Sequence, residues 1–181
     1  MKATGIVRRI DDLGRVVIPK EIRRTMRIRE GDPLEIYTDR EGEVIFKKYS
    51  PIGELASFAA QYAETLHKTC SMSVLICDRD AVIACAGVPR KEYVDRPFSD
   101  ALERIMEGRS LYVCRDESAR IAAVEDAEGH YISCAMPILA EGDLIGCVVS
   151  LAPTDGSAME SELESKLVST AAGFLGRQLE A

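Results

Sequence analysis

Three arginines lie close together in the stretch DDLGRVVIPKEIRR, residues 11–24, which also contains a glycine and a proline. Guanidinium groups donate paired hydrogen bonds to phosphate oxygens, and they can also reach guanine edges in the major groove of DNA. Residues 1–29 carry 9 basic and 3 acidic side chains, a net charge of +6. This composition indicates a surface for a polyanion; the alternative is an ordinary solvated basic face.

The overall net charge of −7 conceals a separation of charge along the chain. Residues 1–50 carry 12 basic and 9 acidic side chains, a net charge of +3, whereas residues 51–181 carry 11 and 21, a net charge of −10. Halves of opposite sign are typical of a basic binding module joined to an acidic domain. The acidic part would repel DNA and so orient the basic face toward it.

Cysteine and histidine spacing does not indicate a metal site. The cysteines form no CxxC pair and only two histidines are present, His67 and His130, whereas zinc sites show short Cys/His spacings. No apolar run reaches the ~18 residues that span a bilayer, and no signal peptide is recognised. We therefore expect a cytoplasmic protein without membrane contact, whose cysteines are reduced and mostly buried. These cysteines are Cys70, Cys77, Cys85, Cys114, Cys134 and Cys147.

Local patterns predict that residues 1–50 form a domain of order β-β-α-β-β. Asp and Gly residues mark two turns, at residues 11–14 and 39–42. Pro19 suits the first position of a helix, where its missing N–H costs nothing. The predicted elements are strands 4–10 and 15–18, a helix 20–27, and a hairpin of strands 34–37 and 44–47.

The first predicted hairpin determines how two of the arginines lie. If residues 11–14 form the whole loop, Ile10 pairs with Arg15 and Arg8 with Val17. Arg8 and Arg15 are then diagonal neighbours on one face, roughly 7–8 Å apart, which is close to the spacing of successive phosphates along a strand. A slip of one residue would send them to opposite faces.

A domain of this size buries too little surface to be stable alone. Short strands with open edges also need to be covered. Both requirements are met if two chains interleave their hairpins. We therefore predict an obligate homodimer.

The run GRVVIPKEIR, followed by residues 26–28 (MRI) and 31–36 (GDPLEI), resembles the AbrB-type swapped-hairpin DNA-binding domain. The resemblance covers nearly all of residues 1–50. It implies a mainly β, interlaced dimer that binds double-stranded DNA with little strict base readout, in a nucleoid-associated transcriptional regulator, activator or repressor, of the sporulation type. Related short domains act as antitoxins, but the folded pattern after residue 50 disfavours that alternative. The DNA contacts that the resemblance implies are Arg8, Arg15, Arg23 and Arg24, with Arg9 and Lys20 as further candidates.

The pattern of residues 51–181 predicts an α+β domain. Its first helix begins at Pro51, with Ser50 as the N-cap. Its element order, together with Ile138 and the run GDLIG at 142–146, resembles a GAF domain. That fold carries helices on one face of an antiparallel sheet and a pocket on the other, and it implies an unidentified small-molecule ligand near residues 88–130; no cofactor is predicted. The predicted elements are helices 51–68, 99–107 and 158–179, and strands 73–77, 81–86, 111–114, 121–124, 131–139 and 144–151.

The first and last helices of this domain are amphipathic, which predicts a bundle with a second copy. If one dimer forms through the hairpins and another through these helices, the chain closes as a homotetramer.

We do not predict an enzyme, because no set of groups fills the nucleophile, base and stabiliser roles. Two alternatives remain open: a GAF-type free methionine sulfoxide reductase, and a thiol redox sensor. Most cysteines fall within predicted strands and not at a helix N-terminus, where a thiolate is favoured. Cys70 at a helix end and Cys114 near a loop are the candidates for reactivity.

Overall fold

The computed structural model describes residues 5–54, 56–94, 96–116, 118, 120–125, 127, 129–154 and 160–180. The chain divides into two compact units, Met1–Tyr49 and Ser50–Ala181, which we call the N-terminal unit and the C-terminal unit. Within the described ranges, no helix is long and apolar enough to cross a membrane.

The N-terminal unit contains a short helix, α1 (Lys20–Thr25), and a hairpin of β1 (Leu34–Thr38) and β2 (Val44–Lys48). The two strands are antiparallel, with Leu34 opposite Lys48 and Thr38 opposite Val44. The predicted hairpin is confirmed, and each strand is one residue longer than its alternation indicated.

The first predicted hairpin forms only its turn. The Asp11 N–H donates to the Arg15 carbonyl at 3.0 Å, so the loop closes one residue inward of the predicted Ile10–Arg15 pair. Residues 5–10 and 15–18 are not strands, and the predictions of two strands and of the Arg8–Val17 pair are wrong for the single chain. The physical reason is that an extended backbone needs a hydrogen-bonding neighbour to form a ladder. Among the described residues, this segment makes no backbone hydrogen bond beyond its turn.

Helix α1 ends before the predicted position, residue 27. Arg27 has the left-handed φ of 52°, and its N–H donates to the Arg24 carbonyl at 3.3 Å while the Ile28 N–H donates to the Arg23 carbonyl at 2.7 Å. This pair of bonds is a Schellman closure, which usually has glycine at the left-handed residue. Lys48 Nζ donates to the Arg27 carbonyl at 2.9 Å, so β2 holds the closure in place.

The C-terminal unit is an α+β domain with a five-stranded sheet, as predicted. The strand order is β4-β3-β7-β6-β5 and every neighbouring pair is antiparallel. Its elements are α2 (Pro51–Glu54), α3 (Ala56–Cys70), β3 (Ser73–Cys77), β4 (Val82–Ala86), α4 (Arg90–Tyr93), α5 (Asp100–Glu107), β5 (Tyr112–Val113), β6 (His130–Ala140), β7 (Asp143–Pro153) and α6 (Ser161–Leu179).

Each face of this sheet is covered by its own apolar core. Helices α3 and α6 pack on one face, where Ala63 and Val168 lie against Val74 and Val148. Helices α4 and α5 and their connections cover the other face, to which the GAF resemblance assigns a pocket. The core residues there include Leu75, Tyr93, Phe98, Leu102, Met106 and Val149.

Three predictions for the C-terminal unit need correction or fall outside the described residues. The strand predicted at 121–124 is wrong: Val124 makes one isolated bridge, to Phe98, because this segment meets its neighbours only at single points. Helix α4 (Arg90–Tyr93) lies before residue 99, in a segment where no helix was predicted. Leu55 of the predicted first helix and residues 155–159, where the last helix was predicted to start, lie outside the described residues.

Candidate nucleic-acid interface

All six candidate contact residues have exposed side chains on the N-terminal unit. Lys20 begins α1, and Arg23 and Arg24 lie in its last turn. Arg15 directly follows the first turn, and Arg8 and Arg9 precede it. Exposed guanidinium groups on a short, basic unit can neutralise phosphates without first breaking a core contact.

Asp11 organises the turn that carries Arg15. Its Oδ1 accepts the Leu13 N–H at 3.1 Å and the Arg15 N–H at 2.8 Å. Its Oδ2 accepts Arg15 Nε at 2.9 Å, in an ion pair where the arginine side chain is 68% exposed. The backbone N–H of Arg15 and then its guanidinium lower the pKa of Asp11 below 3.8, so the carboxylate is charged near neutral pH.

The ion pair between Asp11 and Arg15 involves a candidate DNA-contact residue and was not predicted from the sequence. Asp and Gly predicted the turn, but Asp11 was not assigned a role toward Arg15. The signal was the spacing Asp-x-x-Gly-Arg, since an aspartate that opens such a turn has one carboxylate oxygen left for the residue that closes it.

Apolar side chains of the N-terminal unit line an open concave surface of about 460 Å³. Arg8 lines this surface, whereas the other candidate arginines Arg15, Arg23 and Arg24 do not. Pro19 is the only buried residue among positions 5–49, so a single copy has no closed core. The lining residues are Ile6, Arg8, Val16, Val17, Ile18, Pro19, Ile22, Met26, Ile28, Val44 and Phe46.

The outer side of the C-terminal unit's helix layer carries a cluster of three aromatic rings, from α3 and α6. Phe174 lies 5.9 Å from Phe58 and 5.6 Å from Tyr62, centroid to centroid. Phe174 is 40% exposed and Leu163, on the same helix, is 49% exposed. Exposed apolar patches of this kind are typical of protein–protein contacts.

Three thiols of the C-terminal unit are poorly suited to nucleophilic chemistry. Cys77, Cys134 and Cys147 are buried. Burial raises the pKa of Cys134 to about 11 and raises the pKa values of Cys77 and Cys147 above their ordinary value as well. In the described part of the chain, no cluster of three His, Cys, Asp or Glu side chains could hold a metal ion.

Two family models together match most of the chain. Residues 54–180 match the model described as stage V sporulation protein T C-terminal, transcription factor. Residues 7–53 match the model described as antidote-toxin recognition MazE, bacterial antitoxin.

Two proteins of Bacillus subtilis (strain 168) and one solved structure are similar to this chain. Stage V sporulation protein T is 54% identical over 184 residues, which is 99% of this chain and 99% of that protein. Transition state regulatory protein AbrB is 65% identical over 51 residues, 28% of this chain and 52% of that protein. The GAF domain of A. aeolicus nlh2 is 14% identical, with a TM-score of 0.53 over 67% of this chain and 82% of that one, which shows a GAF-like fold.

Proposed function

The chain belongs to the family of stage V sporulation protein T, and from this membership we infer that it regulates transcription by binding DNA with its N-terminal unit. The observation that carries this proposal is the set of exposed cationic side chains on a unit of net charge +3, in a chain whose remainder is acidic. Segregated charge favours a DNA contact through one unit only. We assign DNA binding to residues 1–50, and assembly and sensing to residues 51–181.

We propose that six side chains of each copy face DNA: Arg8, Arg9, Arg15, Lys20, Arg23 and Arg24. A dimer would present two such sets, so affinity should fall steeply with salt concentration. Most of these contacts would go to phosphates, which position the protein but carry little sequence information.

Titration of labelled duplex DNA at several salt concentrations tests this face. Arg15→Ala and Arg23→Ala should each weaken binding roughly tenfold and reduce the salt slope by about 2, since a dimer loses two phosphate contacts. Arg40→Ala is the matched control, because it removes an exposed arginine of the same unit from the other turn. Wild-type affinity and slope in both test variants would refute the proposed face.

The open apolar surface of the N-terminal unit supports an obligate homodimer. Val44 is 58% and Met26 47% exposed on that surface, and a second copy would bury them. At about 25 cal/mol per Å² of apolar area, this burial would supply the stability that the unit lacks alone. A folded, DNA-binding monomer in dilute solution would contradict the proposal, as measured by native mass spectrometry.

We further propose that the aromatic cluster of α3 and α6 joins two dimers into a homotetramer. Phe174→Glu would place a charge in that contact and should convert tetramer to dimer in sedimentation experiments. Leu111→Glu, at an exposed apolar position outside α3 and α6, adds the same charge and should leave the tetramer intact. A dimeric wild-type protein at working concentration would remove this proposal.

No catalytic role is part of the proposed function. The C-terminal family is described as a transcription factor, and the raised pKa values of the buried thiols disfavour a cysteine nucleophile. Turnover of free methionine sulfoxide by the purified protein would contradict this.

The same native mass spectrum that reports oligomer size would also reveal a small molecule retained by the C-terminal unit. A DNA-binding role would place the protein in the cytoplasm, at the nucleoid.

A further inference from the structure

The N-terminal unit uses the same five-residue loop twice. One loop runs from Asp11 to Arg15, and the other from Asp39 to Glu43. In each, the N–H of the first residue donates to the carbonyl of the fifth, at 3.0 and 3.2 Å. The aspartate Oδ1 accepts the N–H groups of the third and fifth residues, at 3.1 and 2.8 Å in one loop and 2.9 and 2.9 Å in the other. The fourth residue is a glycine, with φ of 77° or 86°.

The two loops differ in what the second carboxylate oxygen does. Asp11 Oδ2 accepts Arg15 Nε at 2.9 Å. The second loop closes with a glutamate, which cannot make that bond. Because the Asp39 loop keeps the same backbone bonds although its closing residue offers no such donor, the Asp11 Oδ2 contact serves the arginine side chain and not the turn.

We propose that Asp11 is a positioning residue for DNA binding. By holding Nε of Arg15, it limits the rotamers of an exposed side chain and leaves the two terminal NH₂ groups for a phosphate. A pre-ordered arginine loses less freedom when it binds. The inference rests on the proposed function, in which Arg15 contacts DNA.

Two effects of Asp11 on DNA affinity have opposite signs. Its negative charge repels phosphate, so removing the charge alone should strengthen binding. Its hold on Arg15 should favour binding, so releasing the arginine should weaken it. The sign of the change therefore distinguishes a positioning role from simple electrostatics.

Asp11→Asn separates these effects. Asparagine Oδ1 can still accept both backbone N–H groups, but its NH₂ is a donor and cannot accept Arg15 Nε. We expect DNA affinity to fall roughly two- to fivefold, in line with exposed ion pairs, and the salt slope to stay at the wild-type value because Arg15 still neutralises a phosphate. Asp39→Asn removes the same charge from the equivalent loop and should leave affinity unchanged or slightly higher.

A double-mutant cycle shows whether Asp11 acts through Arg15. In the Arg15→Ala background, Asp11→Asn should no longer weaken binding. Equal weakening with and without Arg15, or tighter binding by Asp11→Asn alone, overturns the inference. If Arg15→Ala itself leaves affinity and salt slope unchanged, the proposed face fails at that residue. If only Asp11→Asn has no effect, the face stands and the positioning role fails.

The amide resonances of Leu13 and Gly14 check that the turn survives in Asp11→Asn. If they shift, Asp11→Ser replaces the test, since a serine hydroxyl that opens a turn can accept backbone N–H groups and has no second oxygen for Arg15 Nε. Asp11→Ser should then weaken DNA binding with a wild-type salt slope, and undiminished affinity would overturn the inference.

Discussion

The two units of this chain bury their apolar residues to very different degrees. In the N-terminal unit Val7 is 91%, Val17 71% and Ile36 62% exposed. In the C-terminal unit Leu75 and Leu102 are fully buried, and both faces of the sheet are covered. One chain thus completes the core of the C-terminal unit, whereas the N-terminal unit displays the surfaces on which we propose that it dimerises and binds DNA.

The distribution of reactive groups follows the same division. The exposed arginines of the proposed DNA face belong to the N-terminal unit, and all six cysteines belong to the C-terminal unit. A unit without its own core keeps its charges accessible, while a complete core suppresses the ionisation of the thiols within it. Five measurements test this contrast.

The largest effect is expected from a charge placed on the open surface of the N-terminal unit. Phe46→Asp should abolish DNA binding and dimer formation, because an unpaired buried charge costs about 3–5 kcal/mol in each copy. DNA titration and sedimentation measure the two losses. Leu111→Asp, at a position 41% exposed in the C-terminal unit, is the control and should retain both properties. Wild-type assembly of Phe46→Asp would mean that the surface stays open.

A cavity in the core of the C-terminal unit should lower the free energy of unfolding by almost as much. Leu102 lies on α5 and is 0% exposed, so Leu102→Ala should lower the free energy of unfolding by about 2–5 kcal/mol. Leu111→Ala removes the same atoms from a 41% exposed position and should change it by about 0.5 kcal/mol or less. Urea denaturation gives both values, and equal values would show that α5 does not seal a core.

Thiol labelling under native conditions tests the burial of the cysteines. Cys134 has its pKa raised from 9.0 to about 11, so at pH 8 its thiolate fraction is roughly 100-fold lower than that of an ordinary thiol. Cys77, Cys134 and Cys147 should resist labelling while the half-buried Cys70 and Cys114 react. Rapid labelling of Cys77, Cys134 and Cys147 would contradict their burial, and protection of both Cys70 and Cys114 would remove the redox-sensor alternative.

The same pKa shift predicts a pH dependence of unfolding. A thiol whose folded pKa is raised stays protonated in the folded state after the unfolded thiol has ionised. The contribution of the buried Cys134 thiol to the free energy of unfolding is therefore complete below about pH 9 and is lost as the pH rises toward about 11. Cys134→Ser should flatten the decline over this interval, as followed by urea denaturation at successive pH values.

The smallest effect is expected at the end of α1. Arg27 has a φ of 52°, which glycine adopts more readily, so Arg27→Gly should stabilise the N-terminal unit by about 0.5–1 kcal/mol. Arg40→Gly, where φ is not positive, should instead destabilise it slightly. A loss of stability in Arg27→Gly would show that the arginine side chain contributes more than its strained backbone costs.

The parts of the fold that the sequence predicted well are those with local causes. Alternating residues around an Asp-x-x-Gly turn indicated the hairpin that the structure forms between Leu34 and Lys48. The helix predicted over residues 99–107 is α5, where the Ser99 side chain at the N-cap accepts the Leu102 N–H. The strand predicted at 121–124 failed because forming a strand depends on which neighbours reach it, and local composition does not specify them.

The candidate site could also be predicted only in part from local sequence. The residue types and their crowding indicated a cationic surface, because charge and side-chain chemistry are properties of the residues themselves. The separation of Arg8 onto the apolar surface came only from the structure. The pairing register of the first turn also came only from the structure. Asp11 closes that turn with both its backbone and its carboxylate, and the free-energy difference between adjacent registers is too small to predict from composition.

By itself, the sequence determined the two-part order of the chain, its opposite charges, its turns and its main helices and hairpins, since these depend on residues within a few positions of each other. Only the tertiary structure decided which side chains share a surface: the aromatic cluster of α3 and α6, and the thiols enclosed by the sheet and its helices. Those groupings join residues far apart in the chain, and their formation depends on packing that no local pattern encodes.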